Sequence, residues 1–241
     1  MFTIRTPNHT LRFALLVIDM QNGFVSKGGS YDKLGMDTSN YKAAVPKMRE
    51  LINLCRDVGT PIFYTEATRE SSGIDLLTKV HWILPKSREE RIRKVPICVR
   101  GTWDAQTIDE LRPTYADHVV IKRRDSAFQD TEINVWLKAL DINTLVFAGV
   151  DTSICVETSL RDGFNQGYDV ILISDATASG NKEGYNTTLQ RIRDHYGVVM
   201  DFERFANSFR RAKQNNGQVP KEEVDAFIQT FNLLDPRESI A

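Results

Sequence analysis

The sequence is poor in cysteine and histidine, and it lacks any long hydrophobic run. The 241 residues contain only three cysteines, Cys55, Cys98 and Cys155, an odd and scattered set that excludes the disulfide framework of a small secreted domain. The four histidines show no spacing typical of metal ligands, so we predict no metal ion and no other cofactor. No apolar stretch approaches the length of a transmembrane helix.

An excess of charge of one sign is also absent. There are 31 lysines and arginines against 32 aspartates and glutamates, a formal net charge of -1, so no broad electrostatic field attracts nucleic acid or an anionic membrane. Residues 1–11 are polar and lack the basic start, apolar segment and cleavage site of a signal peptide. We therefore expect a cytoplasmic protein that binds a small-molecule substrate and neither nucleic acid nor membrane.

Apolar segments alternate with amphipathic helical patterns along the chain. The continuous apolar run at residues 13–18 is typical of a strand buried on both faces of a parallel sheet. Further strands are predicted at residues 61–65, 118–121, 144–148, 168–173 and 198–199. Helices are predicted at residues 45–58, with Gly59 as the terminating glycine, and at residues 131–140, 155–166 and 185–196. This alternation predicts an α/β fold with a doubly wound, mainly parallel six-stranded sheet and helices on both faces, a Rossmann-like three-layer sandwich.

Two segments do not follow the alternation. Residues 66–117 are long and charged, and we predict an insertion that forms a wall of the pocket and carries a helix around residues 86–94. The mixed charges of that helix are most simply an exposed face. Residues 202–241 predict two helices separated at residues 214–217, and this part of the chain could pack on a neighbouring subunit.

Three polar residues follow predicted strands: Asp19, Lys122 and Cys155. The carboxyl ends of parallel strands share one edge of the sheet, so these side chains can converge in one crevice. A helix start and a nearby cation such as Lys122 would lower the pKa of the Cys155 thiol. Asp19 could take the thiol proton and later deliver it to a leaving nitrogen. Backbone N–H groups of residues 151–155 could bind an oxyanion, which completes a site for a cysteine nucleophile.

Each of these residues also has an ordinary structural interpretation when it is taken alone. Asp19 could cap a turn, Lys122 could be a solvated charge, and a single cysteine after a strand is usually an inert small hydrophobe. Cys55 lies on an apolar helix stripe and Cys98 in an apolar segment, so both are interpreted as structural.

Three segments together resemble the signatures of the isochorismatase-like cysteine hydrolase superfamily. They read Val-Ile-Asp-Met-Gln-Asn-Gly-Phe at 17–24, Ile-Lys-Arg-Arg-Asp-Ser-Ala-Phe at 121–128 and Gly-Val-Asp-Thr-Ser-Ile-Cys-Val at 149–156. The resemblance extends to about residue 209. It implies an isochorismatase-like hydrolase domain at residues 1–209, with residues 210–241 as a C-terminal helical extension of the same domain.

The resemblance also implies roles for individual residues. Asp19, Lys122 and Cys155 would be the catalytic triad. The bond between Val150 and Asp151 would be a cis peptide that aims the oxyanion donors, with Cys155 contributing to the same oxyanion site. The substrate-binding residues that we predict from their places in or beside the motifs are Asn22, Phe24, Trp103 and Phe128.

Loop segments indicate which group within the superfamily the sequence resembles. Residues 28–37, 100–106 and 159–164 are similar to the ureidoacrylate and biuret amidohydrolase group. That similarity implies a cysteine-dependent hydrolase that cleaves a C–N bond of a small amide or ureido, carbamoylated substrate through a covalent acyl-enzyme. It also implies a homodimer or homotetramer. One departure from the family pattern is Asp151, which stands where a small residue or threonine is commoner.

Two alternative functions remain open at this point. The first is an isochorismatase, which hydrolyses the enol ether of isochorismate to 2,3-dihydroxy-2,3-dihydrobenzoate and pyruvate, including a role as an effector that suppresses host defence. That reaction needs no thiol, and several enzymes of the branch carry glycine at the cysteine position, so Cys155 favours amide hydrolysis. The second is a non-catalytic interaction protein on the same fold, against which the complete triad argues.

Overall fold

A computed structural model describes residues 3–5 and 10–214 of the chain. The strands in chain order are β1 Thr3–Arg5, β2 Thr10–Ile18, β3 Ile62–Ala67, β4 His118–Lys122, β5 Thr144–Val150, β6 Asp169–Ala178 and β7 Val198–Met200. Strands β2 to β7 are parallel and lie in the order β4-β3-β2-β5-β6-β7. The predicted doubly wound parallel sheet is therefore confirmed. The six strands predicted from the sequence did not include β1, a short strand that pairs antiparallel with the start of β2.

Helices cover the sheet and the loops at its carboxyl edge. They are α1 Asn22–Val25, α2 Ser30–Lys33, α3 Ser39–Asp57, α4 Leu77–Val80, α5 Lys86–Lys94, α6 Ile133–Ala139, α7 Glu157–Asn165, α8 Lys182–His195 and α9 Phe202–Gln214. Helix α3 begins before the predicted start at residue 45, because Tyr41 is already buried against the core. Helix α9 crosses the predicted domain boundary at residue 209, and the second C-terminal helix falls outside the described residues.

The core has two layers, one on each face of the sheet, and β2 contributes to both. Side chains alternate along a strand, so neighbours in its apolar run point to opposite faces. One layer, with α3 and α9, takes Phe13, Leu15 and Val17. The other, with α6, α7 and α8, takes Ala14, Leu16 and Ile18. All six are fully buried, which explains why the run contains no polar residue.

The two central strands, β2 and β5, approach each other closely at their carboxyl ends. Gly149 near the end of β5 has φ +117°, and a Cβ there would lie 2.1 Å from the backbone oxygen of Ile18. Only glycine fits both the backbone conformation and the space. The strand order reverses between β2 and β5, so this contact lies at the topological switch point of the sheet, where ligands bind in such folds.

The long segment between β3 and β4 lies over this edge. It contains α4, α5 and two short 3-10 turns, Trp103–Ala105 and Asp109–Leu111. The helix predicted at residues 86–94 is present as α5. Within the described part of the chain, no helix combines the length and the apolar character that a membrane crossing requires.

Candidate active site

The structure brings Asp19, Lys122 and Cys155 together on a cavity of about 450 Å³ at the carboxyl edge of the sheet. Asp19 directly follows β2, and Lys122 is the last residue of β4. Cys155 lies in a π-helical turn, Thr152–Val156, that follows β5 and continues into α7. Strand β3 separates β4 from β2, so the side chains of Lys122 and Asp19 must together span two strand spacings, about 10 Å. The long side chain of lysine makes that contact possible.

A buried ion pair fixes the carboxylate. Lys122 Nζ lies 2.8 Å from Asp19 Oδ2, and Thr65 Oγ1 donates a hydrogen bond of 2.6 Å to Asp19 Oδ1. Lys122 Nζ also donates hydrogen bonds to the backbone oxygens of Arg124 and Asp125, both at 2.9 Å. Burial alone would lower the pKa of Lys122, but the negative charge of Asp19 outweighs it and raises the pKa. The lysine is therefore charged.

The Cys155 thiol is held in its protonated form. Burial raises the pKa of Cys155 well above its usual value, Lys122 opposes that effect, and the carboxylates of Asp19 and Asp125 add to it. The sequence-based expectation of a lowered thiol pKa is therefore wrong, because the effect of burial on the pKa of Cys155 outweighs the charge of Lys122. What the site provides is a protonated thiol that lines the same cavity as the Asp19 carboxylate.

Asp151 ties the turn that carries the nucleophile to the rest of the fold. It is the N-cap residue of that turn, and its carboxylate accepts hydrogen bonds from Ser153 N and Ser153 Oγ at 2.8 and 2.7 Å. It also accepts from Tyr41 Oη at 2.8 Å, Ser179 Oγ at 2.8 Å and Gly180 N at 3.0 Å. These donors come from α3, from the segment after β6 and from the turn itself. Asp151, the residue that departs from the family pattern, thus joins three segments of the chain around the nucleophile.

The predicted oxyanion site lies at the start of the same turn. The peptide bond between Val150 and Asp151 is cis, where the resemblance places one. The N–H groups of Ile154 and Val156 donate to the backbone oxygen of Asp151, and the N–H of Ser153 donates to its carboxylate. These three are engaged in holding the turn. The N–H groups of Asp151 and Cys155 stay the predicted oxyanion donors.

Glu157 anchors the first turn of α7, two residues after the nucleophile. Its buried carboxylate receives hydrogen bonds from Arg161 on the same helix and from Thr188 and Arg191 on α8. Burial alone would raise the pKa of Glu157, but the hydrogen bonds from Thr188, Arg191 and Arg161 outweigh it and lower the pKa. This ion-pair network fixes α7 against α8 and so limits how far the turn bearing Cys155 can move.

The four predicted substrate-binding residues are placed differently from one another. Phe24 lines the cavity, whereas Asn22, Trp103 and Phe128 are not among its lining residues. The side-chain amide of Asn22 donates to the backbone oxygens of Trp103 and Gln106 at 3.0 and 3.2 Å, so it holds a neighbouring loop. Trp103 is 49 % exposed, and Phe128 packs into the core layer beside α7.

Several lining residues were missed by the sequence reasoning. Tyr31 and Tyr41 supply aromatic wall, and Tyr31 lies inside a loop segment that the family resemblance had singled out. Arginines of α5, including Arg88 and Arg91, also line the cavity. The interpretation of α5 as a simple exposed face was therefore wrong, because one side of the helix covers the pocket.

No metal cluster accompanies the site. Among residues 3–5 and 10–214, no group of three or more histidine, cysteine, aspartate or glutamate side chains is arranged to hold a metal ion.

Comparisons with known proteins agree with the fold and the motifs. Residues 13–204 match the family model of the isochorismatase domain. The ureidoacrylate amidohydrolase RutB of Acinetobacter baylyi is 33% identical over 215 residues, which cover 86% of this chain and 86% of that protein.

Solved structures of other proteins share this fold. The cysteine hydrolase of Pseudomonas syringae pv. phaseolicola superposes with a TM-score of 0.72 at 24% identity, covering 87% of this chain and 98% of that chain. The N-carbamoylsarcosine amidase of Thermoplasma acidophilum has a TM-score of 0.62 at 25% identity, covering 80% and 97%. The resemblance that the three signatures carry is confirmed, and the chain belongs to the isochorismatase family of hydrolases.

Proposed function

We propose that the protein cleaves a C–N bond of a small amide or ureido substrate through a covalent intermediate on Cys155. The observation that carries the proposal is the convergence of the Cys155 thiol and the buried Asp19–Lys122 ion pair on the wall of one cavity. The names of two similar proteins, a ureidoacrylate amidohydrolase and an N-carbamoylsarcosine amidase, support this class of substrate.

The first half of the reaction forms a thioester. As Sγ of Cys155 attacks the carbonyl carbon of the substrate, its proton passes to the carboxylate of Asp19, which lines the same cavity. The carbonyl electrons move to the oxygen, and the N–H groups of Asp151 and Cys155 stabilise the resulting oxyanion. Asp19 then returns the proton to the substrate nitrogen, the C–N bond breaks, and the amine leaves.

The second half regenerates the thiol. A water molecule gives a proton to Asp19 as its oxygen attacks the thioester carbon, and the C–S bond breaks with return of that proton to Sγ. A ureido substrate would thus yield an amine and carbamate. Lys122 donates no proton in this scheme; it forms an ion pair with Asp19 and donates hydrogen bonds to two backbone oxygens. Its charge orients the Asp19 carboxylate.

A substrate panel with matched variants tests the proposal. Purified protein is incubated with ureidoacrylate, biuret, triuret and simple amides, and ammonia release is measured. We expect turnover of at least one ureido compound, loss of turnover in Cys155→Ala and retained turnover in Cys55→Ala, since Cys55 is buried in the core away from the cavity. Silence of the wild-type protein on the whole panel, or full activity of Cys155→Ala, would contradict the proposal.

Trapping of the intermediate tests the covalent step separately. After a rapid acid quench during turnover, intact-protein mass spectrometry should show a mass increase of one carbamoyl or acyl group on Cys155. Pyruvate release from isochorismate is measured in parallel. If Cys155→Ala released pyruvate as fast as the wild-type protein and no adduct formed with any amide, enol-ether hydrolysis would replace the proposed reaction.

A further inference from the structure

The cavity contains an excess of cationic side chains. Its acidic side chains are Asp19, Glu70, Asp125 and Asp151, and its basic ones are Arg69, Arg88, Arg91, Arg93, Lys122 and Arg124. Three of the acids have basic partners: Asp19 pairs with Lys122, Glu70 with Arg123 and Arg100, and Asp125 with Arg88. The fourth, Asp151, accepts hydrogen bonds from five uncharged donors. Among the basic residues of the cavity wall, Arg69, Arg91 and Arg124 therefore have no acidic partner among the described residues.

Two of the surplus arginines lie side by side. Nη1 of Arg69 and Nη1 of Arg124 both donate to the backbone oxygen of Arg123, at 3.2 and 3.0 Å. The same nitrogens also donate to the backbone oxygens of Thr68 and Asp75. These bonds fix the two guanidinium groups as neighbours without supplying any negative charge. Across residues 3–5 and 10–214, neither arginine has a carboxylate within 4 Å.

Two neighbouring guanidinium charges repel each other, and an anion bound between them offsets that repulsion. Both arginines are half-buried on the cavity wall, where repulsion between like charges is screened less than in bulk water. A carboxylate can accept two parallel hydrogen bonds from one guanidinium and is stabilised by the charge of the second. Arg91 of α5 adds a third cation on the same wall, with no carboxylate partner within 4 Å among the described residues.

We propose that Arg69 and Arg124 form an anion subsite, so that the substrate is a ureido compound carrying a carboxylate rather than a neutral urea or amide. This inference rests on the proposed function and specifies its substrate class. The carbamoyl end of the substrate lies at Cys155 and the carboxylate end at the arginine pair. A cavity of about 450 Å³ has the size of a small-ligand site and can hold such a molecule.

Paired substrates test the subsite during turnover. We compare kcat/KM for 3-ureidopropionate with that for its neutral amide, 3-ureidopropionamide. The wild-type protein should prefer the acid, and Arg69→Gln or Arg124→Gln should reduce kcat/KM for the acid by roughly 10- to 100-fold while changing the amide little. The control Arg112→Gln removes an exposed arginine that does not line the cavity and should change neither value. Equal values for acid and amide in the wild-type protein overturn the inference and leave the proposed function standing.

A second measurement does not depend on turnover. Cys155 is alkylated with iodoacetate or with neutral iodoacetamide, and the ratio of the two rates is compared with that of free N-acetylcysteine. The wild-type ratio should exceed the free-thiol ratio by about tenfold or more and fall in Arg69→Gln and Arg124→Gln but not in Arg112→Gln. A wild-type ratio equal to that of the free thiol, or one unchanged in both variants, overturns the anion subsite. Failure of ureido hydrolysis with a raised ratio would instead count against the proposed function alone.

Discussion

Replacing Asp151 with alanine should destabilise the protein more than the loss of an ordinary helix cap. The substitution removes the acceptor for five hydrogen-bond donors, on Tyr41, Ser153, Ser179 and Gly180. The hydroxyl groups can turn toward water that enters the space of the lost carboxylate. The backbone N–H groups of Ser153 and Gly180 are fixed by the chain and have less freedom to find a new acceptor.

The expected magnitude follows from these contacts. Loss of an N-cap side chain costs about 1 kcal/mol, and hydrogen bonds to a charged group contribute about 1.5 to 3 kcal/mol each but are not additive within one network. We therefore expect Asp151→Ala to lower the free energy of unfolding by about 3 to 4 kcal/mol. For a chain of this size that corresponds to a decrease in Tm of about 10 °C.

A matched control separates this network from simple capping. Asp37 also accepts a hydrogen bond from the backbone N–H two residues later, Ser39 N at 2.9 Å, but it is exposed. Asp37→Ala should therefore change stability much less than Asp151→Ala. Asp151→Asn should be intermediate, because it keeps the side-chain shape and one oxygen but places an amide where the second oxygen was.

Urea unfolding followed by circular dichroism measures all three variants. The midpoint should fall most for Asp151→Ala with an unchanged m-value, since the folded state buries the same surface. The alkylation rate of Cys155 in the folded variant reports whether the turn has moved. A loss of stability in Asp151→Ala no larger than that in Asp37→Ala would refute the reasoning.

Three further predictions concern the site and its supports. Asp19→Asn removes a charge that raises the pKa of Cys155, so alkylation of Cys155 by iodoacetamide at neutral pH should become faster while turnover is lost; slower alkylation would contradict this. The folded-state pKa of Glu157 is lowered, so its contribution is present above the unfolded pKa of about 4.3 and is lost as the pH falls through the folded value. The difference in urea stability between wild type and Glu157→Gln should thus be about 1 to 2 kcal/mol at pH 7, since both arginine partners are partly exposed, and should shrink below about pH 4. A difference independent of pH would count against this prediction. Gly149→Ala should prevent folding because its Cβ meets a backbone oxygen at 2.1 Å, while Gly167→Ala, also at positive φ but with open space around it, should cost only about 1 to 2 kcal/mol; equal loss of soluble protein in the two variants would contradict this.

Much of the fold could be predicted because it depends on local patterns. The unbroken apolar run in β2 exists because its side chains enter both core layers, and that run alone predicted a central parallel strand. Gly59 ends α3 with φ +70°, as its place after the helical pattern indicated. Strand β1 was missed because three residues are too few to show a period.

The site was predictable in its positions and less so in its contacts. The rule that parallel strands share a carboxyl edge predicted that Asp19, Lys122 and Cys155 can meet, and the structure places them on one cavity. Their catalytic roles stay predictions until turnover is measured. Nearness to a motif predicted the cavity-lining residues less well, since the side-chain amide of Asn22 donates to a loop backbone and Asn22 does not line the cavity.

The sequence by itself determined the order of the elements, the strand ends that carry polar side chains and the family to which the chain belongs. Only the tertiary structure decided that burial outweighs Lys122 at the Cys155 thiol, that Asp151 joins three segments, and that Arg69 and Arg124 become neighbours. The physical reason is the same in each case. Burial, charge pairing and hydrogen bonding depend on distances between groups far apart in the chain, and no local pattern records those distances.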